Sequence, residues 1–170
     1  MKTAWVLLAI AATLALQTTL ARFTVGGHTP VDLVLVAVLY AALVRGPVTG
    51  ILAGSVGGLA QDALSGGLVG VGGLAKTLVG FAAGVIGAQF IVTQPITRFA
   101  LFFAATVVHG ACFLSVYALI GSRGSVLSFG QVVGQAVGNG IVGVVAFQVA
   151  AMLPGLKDRR RARRGWFGRR

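Results

Sequence analysis

The sequence predicts an all-α membrane protein, a polytopic bundle of about six transmembrane helices. Of its 170 residues, 56% are hydrophobic and only 10% are charged, whereas about a quarter of the residues of a soluble domain carry charge. The apolar residues also form long runs without acidic or basic side chains, as in residues 4–21 and 99–120. Runs of this length are typical of helices that cross a bilayer.

Prolines and glycines divide the chain into spans. Pro47 and Pro95 suit the first turn of a helix, where the missing N–H costs nothing, and Pro154-Gly155 indicates the end of the last span. The second span is short, because residues 29–44 make a helix of only about 24 Å against a hydrocarbon core of about 30 Å. We predict a transmembrane domain over residues 1–155 and a disordered basic tail over 156–170, with spans at 3–21, 30–44, 47–64, 71–92, 95–120 and 129–153.

The basic residues predict the orientation and argue against nucleic acid as a partner. Eight of the fourteen Lys and Arg residues lie in the last fourteen positions, next to a predicted span. Lys2, Arg45 and Arg98 fall on the same side as this tail, so the positive-inside rule places both termini in the cytoplasm. The tail is expected to act as a topology signal and to contact anionic lipid headgroups through Arg159, Arg160, Arg161, Arg163 and Arg164.

Asp62 and Lys76 flank the glycine-rich loop between the third and fourth spans, which this orientation places outside the cell. Asp62 is one of three acidic residues in the chain. A charged side chain within a membrane protein usually lies near the membrane surface or pairs with a group of opposite charge. Because a tight turn makes the two helices antiparallel neighbours, we expect an ion pair between Asp62 and Lys76. The alternative is that both side chains form an exposed contact for another protein.

Two further polar groups have structural interpretations. Thr29-Pro30-Val31-Asp32 fits a capping box in which Thr29 is the N-cap of the second span and Asp32 reaches back to it. Arg45-Gly46-Pro47 is interpreted as a cytoplasmic turn, with Arg45 extending toward the membrane surface.

Glycines recur at every fourth residue in three of the predicted spans. Small residues at this spacing allow helix backbones to approach closely in lipid. The predicted helix-packing positions are Gly50, Gly54, Gly58, Gly80, Gly84, Gly130, Gly134 and Gly138.

Gln131, Gln135 and Asn139 also step by four and form one polar stripe on the sixth span. The stripe is either a source of interhelical hydrogen bonds or the wall of a small polar cavity. Three aspartates and no glutamates cannot supply a carboxylate pair or a Ser/His/Asp set, and His109 with Cys112 lacks a third metal ligand. We therefore predict a protein that is not an enzyme and holds no metal or cofactor.

Residues 30–84 resemble the rod shape-determining protein MreD family. The resemblance rests on Pro30-x-Asp32-Leu33, Arg45-Gly46-Pro47, the glycine repeat, Asp62-x-x-Ser65-Gly66 and Lys76-Thr77-Leu78-Val79-Gly80, in this order. These features cover about a third of the chain, and residues 95–170 match only in general character.

The resemblance implies a non-catalytic scaffold of the elongation machinery in the bacterial inner membrane, which controls rod shape and lateral-wall peptidoglycan synthesis. It implies pairing with an MreC-like membrane protein and indirect association with MreB, RodA and a class B penicillin-binding protein. It also implies a bundle similar to the substrate-binding subunits of energy-coupling-factor transporters. An alternative function is therefore that of a substrate-binding subunit of a small-molecule, vitamin-type transporter.

Overall fold

A computed structural model describes residues 2–20, 30–66, 68–90, 92–120 and 128–167, with side chains described at 6–19, 30–66, 68–90, 92–120 and 128–152. The regular secondary structure of these residues is six α-helices and no strand. They are α1 (Lys2–Leu20), α2 (Leu33–Arg45), α3 (Pro47–Ser65), α4 (Val71–Gln89), α5 (Pro95–Leu119) and α6 (Phe129–Phe167).

The helices follow the predicted spans and form a bundle of the kind that membranes accommodate. Among the described residues, three segments are long and apolar enough to cross a bilayer, namely Val71–Gln89, Pro95–Leu119 and Phe129–Met152. Val6–Thr19 and Leu33–Arg45 are shorter apolar helices. The predicted all-α membrane bundle is thus confirmed.

The ends of three helices differ from the prediction. α4 ends at Gln89 rather than at residue 92. α2 begins at Leu33 rather than at residue 30, so its 13 residues span only about 20 Å. The backbone of α6 continues past Pro154-Gly155 to Phe167, so the predicted end at residue 153 and the predicted disorder of residues 156–167 are wrong. One proline removes a single hydrogen bond of the helix, and basic residues are favourable near a helix C-terminus. The side chains of the tail arginines lie outside the described residues.

α2 occupies the centre of the bundle and packs against each of the other five helices. One face of α2 joins Val79 and Ala83 of α4 and Phe102 of α5 in a buried cluster. The adjacent face contacts Ile10 of α1 and Ala53 of α3. A short helix can therefore persist in the membrane, because its neighbours and not lipid surround it.

α3 and α4 pack with their backbones almost in contact. A Cβ atom built on Gly54 would lie 2.5 Å from the carbonyl oxygen of Lys76, and one on Gly58 would lie 2.5 Å from Cα of Gly73. Gly50 faces Gly80 in the same way, and Gly84 faces Pro47. Only glycine fits at such positions, so these residues fix the geometry of the α3–α4 hairpin.

The glycines of α6 pack differently from the prediction. Gly130 and Gly134 are exposed, and an added Cβ would meet no atom within 4 Å at either position. Neither glycine packs against another helix of the bundle, because the start of α6 turns this face away from the other described helices; packing against a helix of a partner stays a prediction. Closer approaches occur farther along α6. A Cβ atom added to Gly138 would contact the carbonyl oxygen of Pro30, and one added to Gly140 or Gly143 would contact the ring of Phe99 or Phe102, respectively.

The turn between α2 and α3 lies at the end of the bundle opposite the α3–α4 turn. Gly46 has φ +91°, which a residue with a side chain rarely adopts, and its N–H donates to the carbonyl oxygen of Ala42 at 2.7 Å. Pro47 is the first residue of α3. At the same end, the guanidinium of Arg98 lies 4.4 Å from the ring centre of Phe147.

Candidate functional site

The residues that lead into α2 lie inside the bundle, where side chains of two other helices satisfy their backbone groups. Gln17 on α1 donates to the carbonyl oxygen of Val31 (3.0 Å) and accepts the N–H of Leu33 (2.9 Å). Asn139 on α6 accepts the N–H of Asp32 at 2.9 Å. Buried backbone groups need such partners, so these two amides allow α2 to begin inside the protein.

Asp32 is the N-cap residue of α2. Its Oδ1 accepts the N–H of Leu35 at 2.9 Å. The sequence placed Asp32 three residues farther into the helix, with Thr29 as the N-cap. Because the helix begins at Leu33, Asp32 itself takes the cap position, and Thr29 lies outside the described residues.

Lys76 on α4 forms a buried ion pair with Asp32. Its Nζ lies 2.9 Å from Oδ2 of Asp32, and only 4% and 6% of the two side chains are exposed. Two buried charges compensate each other only in close contact with further hydrogen bonds. Here the carboxylate also caps α2, and the ammonium contacts His109 of α5, so this cluster connects α2, α4 and α5.

The predicted ion pair between Asp62 and Lys76 is wrong. Oδ2 of Asp62 accepts the N–H of Gly70 (2.9 Å) and the N–H of Gly73 (3.1 Å). These N–H groups belong to the N-terminal end of α4, where a helix has unpaired donors and favours negative charge. Asp62 thus caps the neighbouring helix, while the long side chain of Lys76 reaches the centre of the bundle.

His109 contacts Lys76 through Nε2 at 3.3 Å. An ammonium group has three donors and no acceptor, so Nε2 must accept this hydrogen bond. A neutral imidazole then carries its proton on Nδ1. The contact consequently leaves an N–H group of His109 directed away from Lys76.

The polar stripe of α6 divides into two parts. Asn139 is fully buried and donates to Oγ1 of Thr106 on α5 at 3.1 Å, so it supplies interhelical hydrogen bonds. Gln131 and Gln135 line a cavity at the α3–α4 end of the bundle. Both interpretations of the stripe are therefore represented, at different positions along the helix.

This cavity, which we call the polar cavity, has a volume of about 190 Å³ and lies beside Ser65 at the end of α3 and Leu68 in the α3–α4 turn. Elements from the start of α2 to α6 contribute to its wall, among them Asp32, Gln61, Asp62, Lys76, His109 and Tyr117. The bundle thus brings together Asp32, Asp62 and Lys76 with two of the stripe residues around one space.

A second feature is an open apolar groove between α3 and α4, with a volume of about 690 Å³. The hydroxyls of Ser55 and Thr77 lie 2.8 Å apart within it and form a hydrogen bond, and the hydroxyl that accepts this bond donates its own proton to a carbonyl oxygen of its helix. Their polar groups are therefore satisfied. This α3–α4 groove is lined by Ile51, Ser55, Leu59, Gly70, Gly73, Leu74, Thr77, Leu78 and Phe81.

Sequence reasoning did not identify Gln17, Gln61 or Thr106 as parts of the site. Gln17 offered a signal, because it is the one glutamine in a first span whose other residues are apolar or threonine. Gln61 precedes Asp62 directly and shares its end of α3. A threonine such as Thr106 gives no comparable signal, since its hydroxyl can bond to its own helix, as it does here with the carbonyl oxygen of Phe102.

Comparison with known proteins identifies one family. The family model described as rod shape-determining protein MreD matches residues 1–146, which is most of the chain. No curated protein and no solved structure shows significant similarity to the chain.

Proposed function

Because the chain belongs to the MreD family and is a rod shape-determining membrane protein, we propose that it is a non-catalytic scaffold of the elongation machinery. It pairs with an MreC-like protein in the bacterial inner membrane, and this pair controls rod shape and lateral-wall peptidoglycan synthesis. MreB, RodA and a class B penicillin-binding protein are its indirect partners. The observation that carries the proposal is the α3–α4 groove.

The groove suits a transmembrane helix of the partner. Its rim consists of large apolar side chains that are about half exposed, such as Leu74 and Leu78, while Gly70 and Gly73 lie within it. Apolar surface alone does not drive helices together in lipid, where close packing and small interface residues do. A groove with small residues between large ones allows that packing. The hydroxyl groups of Ser55 and Thr77 in the groove bond each other and need no hydrogen bond from a partner helix.

The α3–α4 hairpin also provides a rigid surface. Backbone contact at Gly54 and Gly58 prevents the two helices from separating without loss of packing, and Asp62 fixes the turn by bonding Gly70 and Gly73. A preformed surface loses little conformational freedom when a partner binds. This rigidity is what a scaffold requires.

The orientation with both termini in the cytoplasm supports the same function. The α2–α3 turn carries Arg45, and the start of α5 carries Arg98, so basic residues gather at the end of the bundle that the positive-inside rule assigns to the cytoplasm. The basic tail then contacts anionic lipid headgroups. The α3–α4 turn and the polar cavity consequently face the periplasm.

The alternative function, a vitamin-type transporter subunit, is less well supported. Pockets that enclose a drug-sized ligand have volumes of about 300–1,000 Å³, whereas the polar cavity has about 190 Å³. A ligand of vitamin size would therefore be only partly enclosed. The scaffold remains the function that the geometry supports best.

Photo-crosslinking in living cells tests the groove as the partner's site. A photoreactive amino acid at Leu78, which is 54% exposed within the groove, is compared with one at Ile141 on α6, which is 55% exposed outside it. We expect a covalent product with an MreC-like protein from position 78 and none from position 141. Equal yields at both positions, or a product at 141 alone, would exclude the groove as the interface.

A further inference from the structure

A further pocket lies at the α2–α3 end of the bundle, with walls from α2, α4 and α6. Its volume is about 260 Å³, and Gln89 is the one polar side chain among the residues that line it. Because a cavity of about 150 Å³ holds one benzene molecule, this space accommodates roughly ten non-hydrogen atoms on the same scale. We call it the end pocket, and it is lined by Leu43, Gly87, Ala88, Gln89, Phe90, Val92 and Phe147.

Arg98, in the first turn of α5, is held at the edge of the end pocket. Its Nε donates to the carbonyl oxygen of Val92 at 3.1 Å, and its guanidinium carbon lies 4.4 Å from the ring centre of Phe147. Val92 and Phe147 both line the pocket. These contacts occupy Nε and one face of the guanidinium, so the side chain is held in place while its two terminal amino groups keep their donors.

The terminal nitrogens of Arg98 are accessible and have no hydrogen-bond partner among the described residues. The bond to Val92 uses Nε alone. The buried side-chain atoms that lack a partner belong to Gln61 and His109 and not to Arg98. The terminal nitrogens can therefore be reached by a ligand from outside the bundle.

The acidic residues of the chain do not neutralise Arg98 among the described side chains. Asp32 and Asp62 line the polar cavity at the opposite end of the bundle. The third acidic residue, Asp158, lies about 16 Å farther along α6 than Phe147. The guanidinium is thus a half-buried cation without a counter-charge from the described residues.

The ends of two helices beside the pocket have opposite electrostatic effects. α5 begins here and α4 ends here, and the two ends are equivalent to about half a positive and half a negative charge, respectively. Because these contributions oppose each other, the full charge of Arg98 decides the sign. Arg45, which is exposed in the α2–α3 turn, adds a second positive charge at this end of the bundle. The end pocket therefore favours an anion.

The depth of Arg98 in the bilayer suits a lipid phosphate. The 25 residues of α5 make a helix of about 37 Å, whereas the hydrocarbon core is about 30 Å thick. An untilted helix centred on that core extends about 4 Å beyond it on each side. Because Arg98 lies about 4.5 Å from the start of α5, its backbone is at the boundary between the hydrocarbon and the headgroups.

We propose that Arg98 binds the phosphate of an anionic phospholipid, and that the end pocket holds the glycerol unit and first acyl carbons next to that phosphate. A guanidinium donates two parallel hydrogen bonds to phosphate oxygens, while Leu43 and Phe90 contact the apolar atoms. A choline headgroup would bring a further cation close to Arg98 and Arg45, so a lipid of net negative charge is preferred. This site differs from the contact of the basic tail with headgroups and is independent of the scaffold function.

Native mass spectrometry of the full chain, released from detergent micelles, resolves the binding of single lipid molecules and tests the proposal. The chain is titrated with phosphatidylglycerol or with phosphatidylcholine of the same acyl chains. We expect the first phosphatidylglycerol molecule to bind several times more tightly than the first phosphatidylcholine. Glycerol phosphate, the soluble form of the same chemistry, should not displace the lipid at equal concentration; if it does, the site serves a soluble phosphate ester and the lipid proposal is overturned.

Two pairs of variants separate the charge from the pocket. Arg98→Gln should weaken phosphatidylglycerol binding about tenfold, as expected for the loss of hydrogen bonds to a charged group, whereas Arg45→Gln, at an exposed and more strongly screened position, should weaken it less than about twofold. Ala88→Phe fills the end pocket from an exposed position without a change of charge and should also weaken binding. Ala82→Phe, exposed on α4 outside the pocket, is its control and should bind like the unmodified chain. The proposal is overturned if both lipids bind equally, if Arg98→Gln binds no more weakly than Arg45→Gln, or if Ala88→Phe binds normally.

Discussion

The ammonium of Lys76 on α4 lies 2.9 Å from the carboxylate of Asp32 at the start of α2, and both side chains are almost completely buried. The two residues are far apart in sequence, yet their contact joins the central helix to the α3–α4 hairpin. Asn139 accepts the N–H of Asp32 and His109 contacts Lys76. Gln17 bonds the backbone of Val31 and Leu33 on either side of Asp32.

Lys76→Met should destabilise the protein strongly, because it leaves the carboxylate of Asp32 buried without its cation. Loss of one partner of a buried pair costs about 3–5 kcal/mol. The free energy of unfolding in detergent micelles, followed by circular dichroism, measures the effect. Adding Asp32→Asn, which keeps an oxygen for the cap, should restore part of the loss; a double variant less stable than Lys76→Met would contradict the pairing.

Gly58→Ala should destabilise the α3–α4 hairpin, because the new methyl group would overlap Cα of Gly73. Overpacking of this kind costs about 1–3 kcal/mol. Gly134→Ala is the matched control, since nothing lies within 4 Å of its added Cβ; it should be neutral or stabilise by up to about 1 kcal/mol through helix propensity. Unfolding measurements that give both variants the same stability would exclude backbone contact at Gly58.

Asn139→Leu should destabilise the bundle, because the N–H of Asp32 loses its acceptor inside the protein. A buried donor without a partner costs about 1–3 kcal/mol. Gln148→Leu makes a similar change at an exposed site of the same helix and should stay within about 0.5 kcal/mol of the unmodified chain. Thermal unfolding of both variants measures the difference in stability. An Asn139→Leu variant as stable as the unmodified chain would contradict a buried hydrogen bond at the start of α2.

The proposed topology predicts which positions a membrane-impermeant thiol reagent reaches in whole cells. In a Cys112→Ala background, Leu68→Cys in the α3–α4 turn should be labelled in intact cells, because the proposed topology places that turn in the periplasm. Gln94→Cys, an exposed position before α5, should be labelled only after permeabilisation. If Gln94→Cys is labelled in intact cells and Leu68→Cys only after permeabilisation, the orientation is opposite to the proposed one.

The local features of the fold were predictable from the sequence, and the long-range polar contacts were not. Glycine spacing indicates the α3–α4 packing, because residues four apart share a helix face, and prolines indicate the starts of α3 and α5. The choice of Asp32 over Asp62 as the partner of Lys76 depends on how α2 lies against α4, which no local pattern encodes.

The errors in α6 have a similar origin. Gly130 and Gly134 follow the same spacing as Gly138, yet of the three only Gly138 approaches another segment, at Pro30 and Val31 before α2. The spacing defines a face of the helix and not the length over which a neighbour covers that face. Asn139 and Gln135 also share that stripe, and their different surroundings follow from the position of Asp32, which is buried and donates its N–H to Asn139. Such distinctions require the tertiary arrangement.

The central claim is that Lys76 pairs with Asp32 across the bundle and not with Asp62 across the hairpin. Two double-mutant cycles in micelles, Lys76→Met with Asp32→Asn and Lys76→Met with Asp62→Asn, measure both coupling free energies directly. We expect on the order of 2 kcal/mol for the first pair, as for residues in contact, and below about 0.5 kcal/mol for the second. A coupling to Asp62 that equals or exceeds the coupling to Asp32 would contradict the structure of the site.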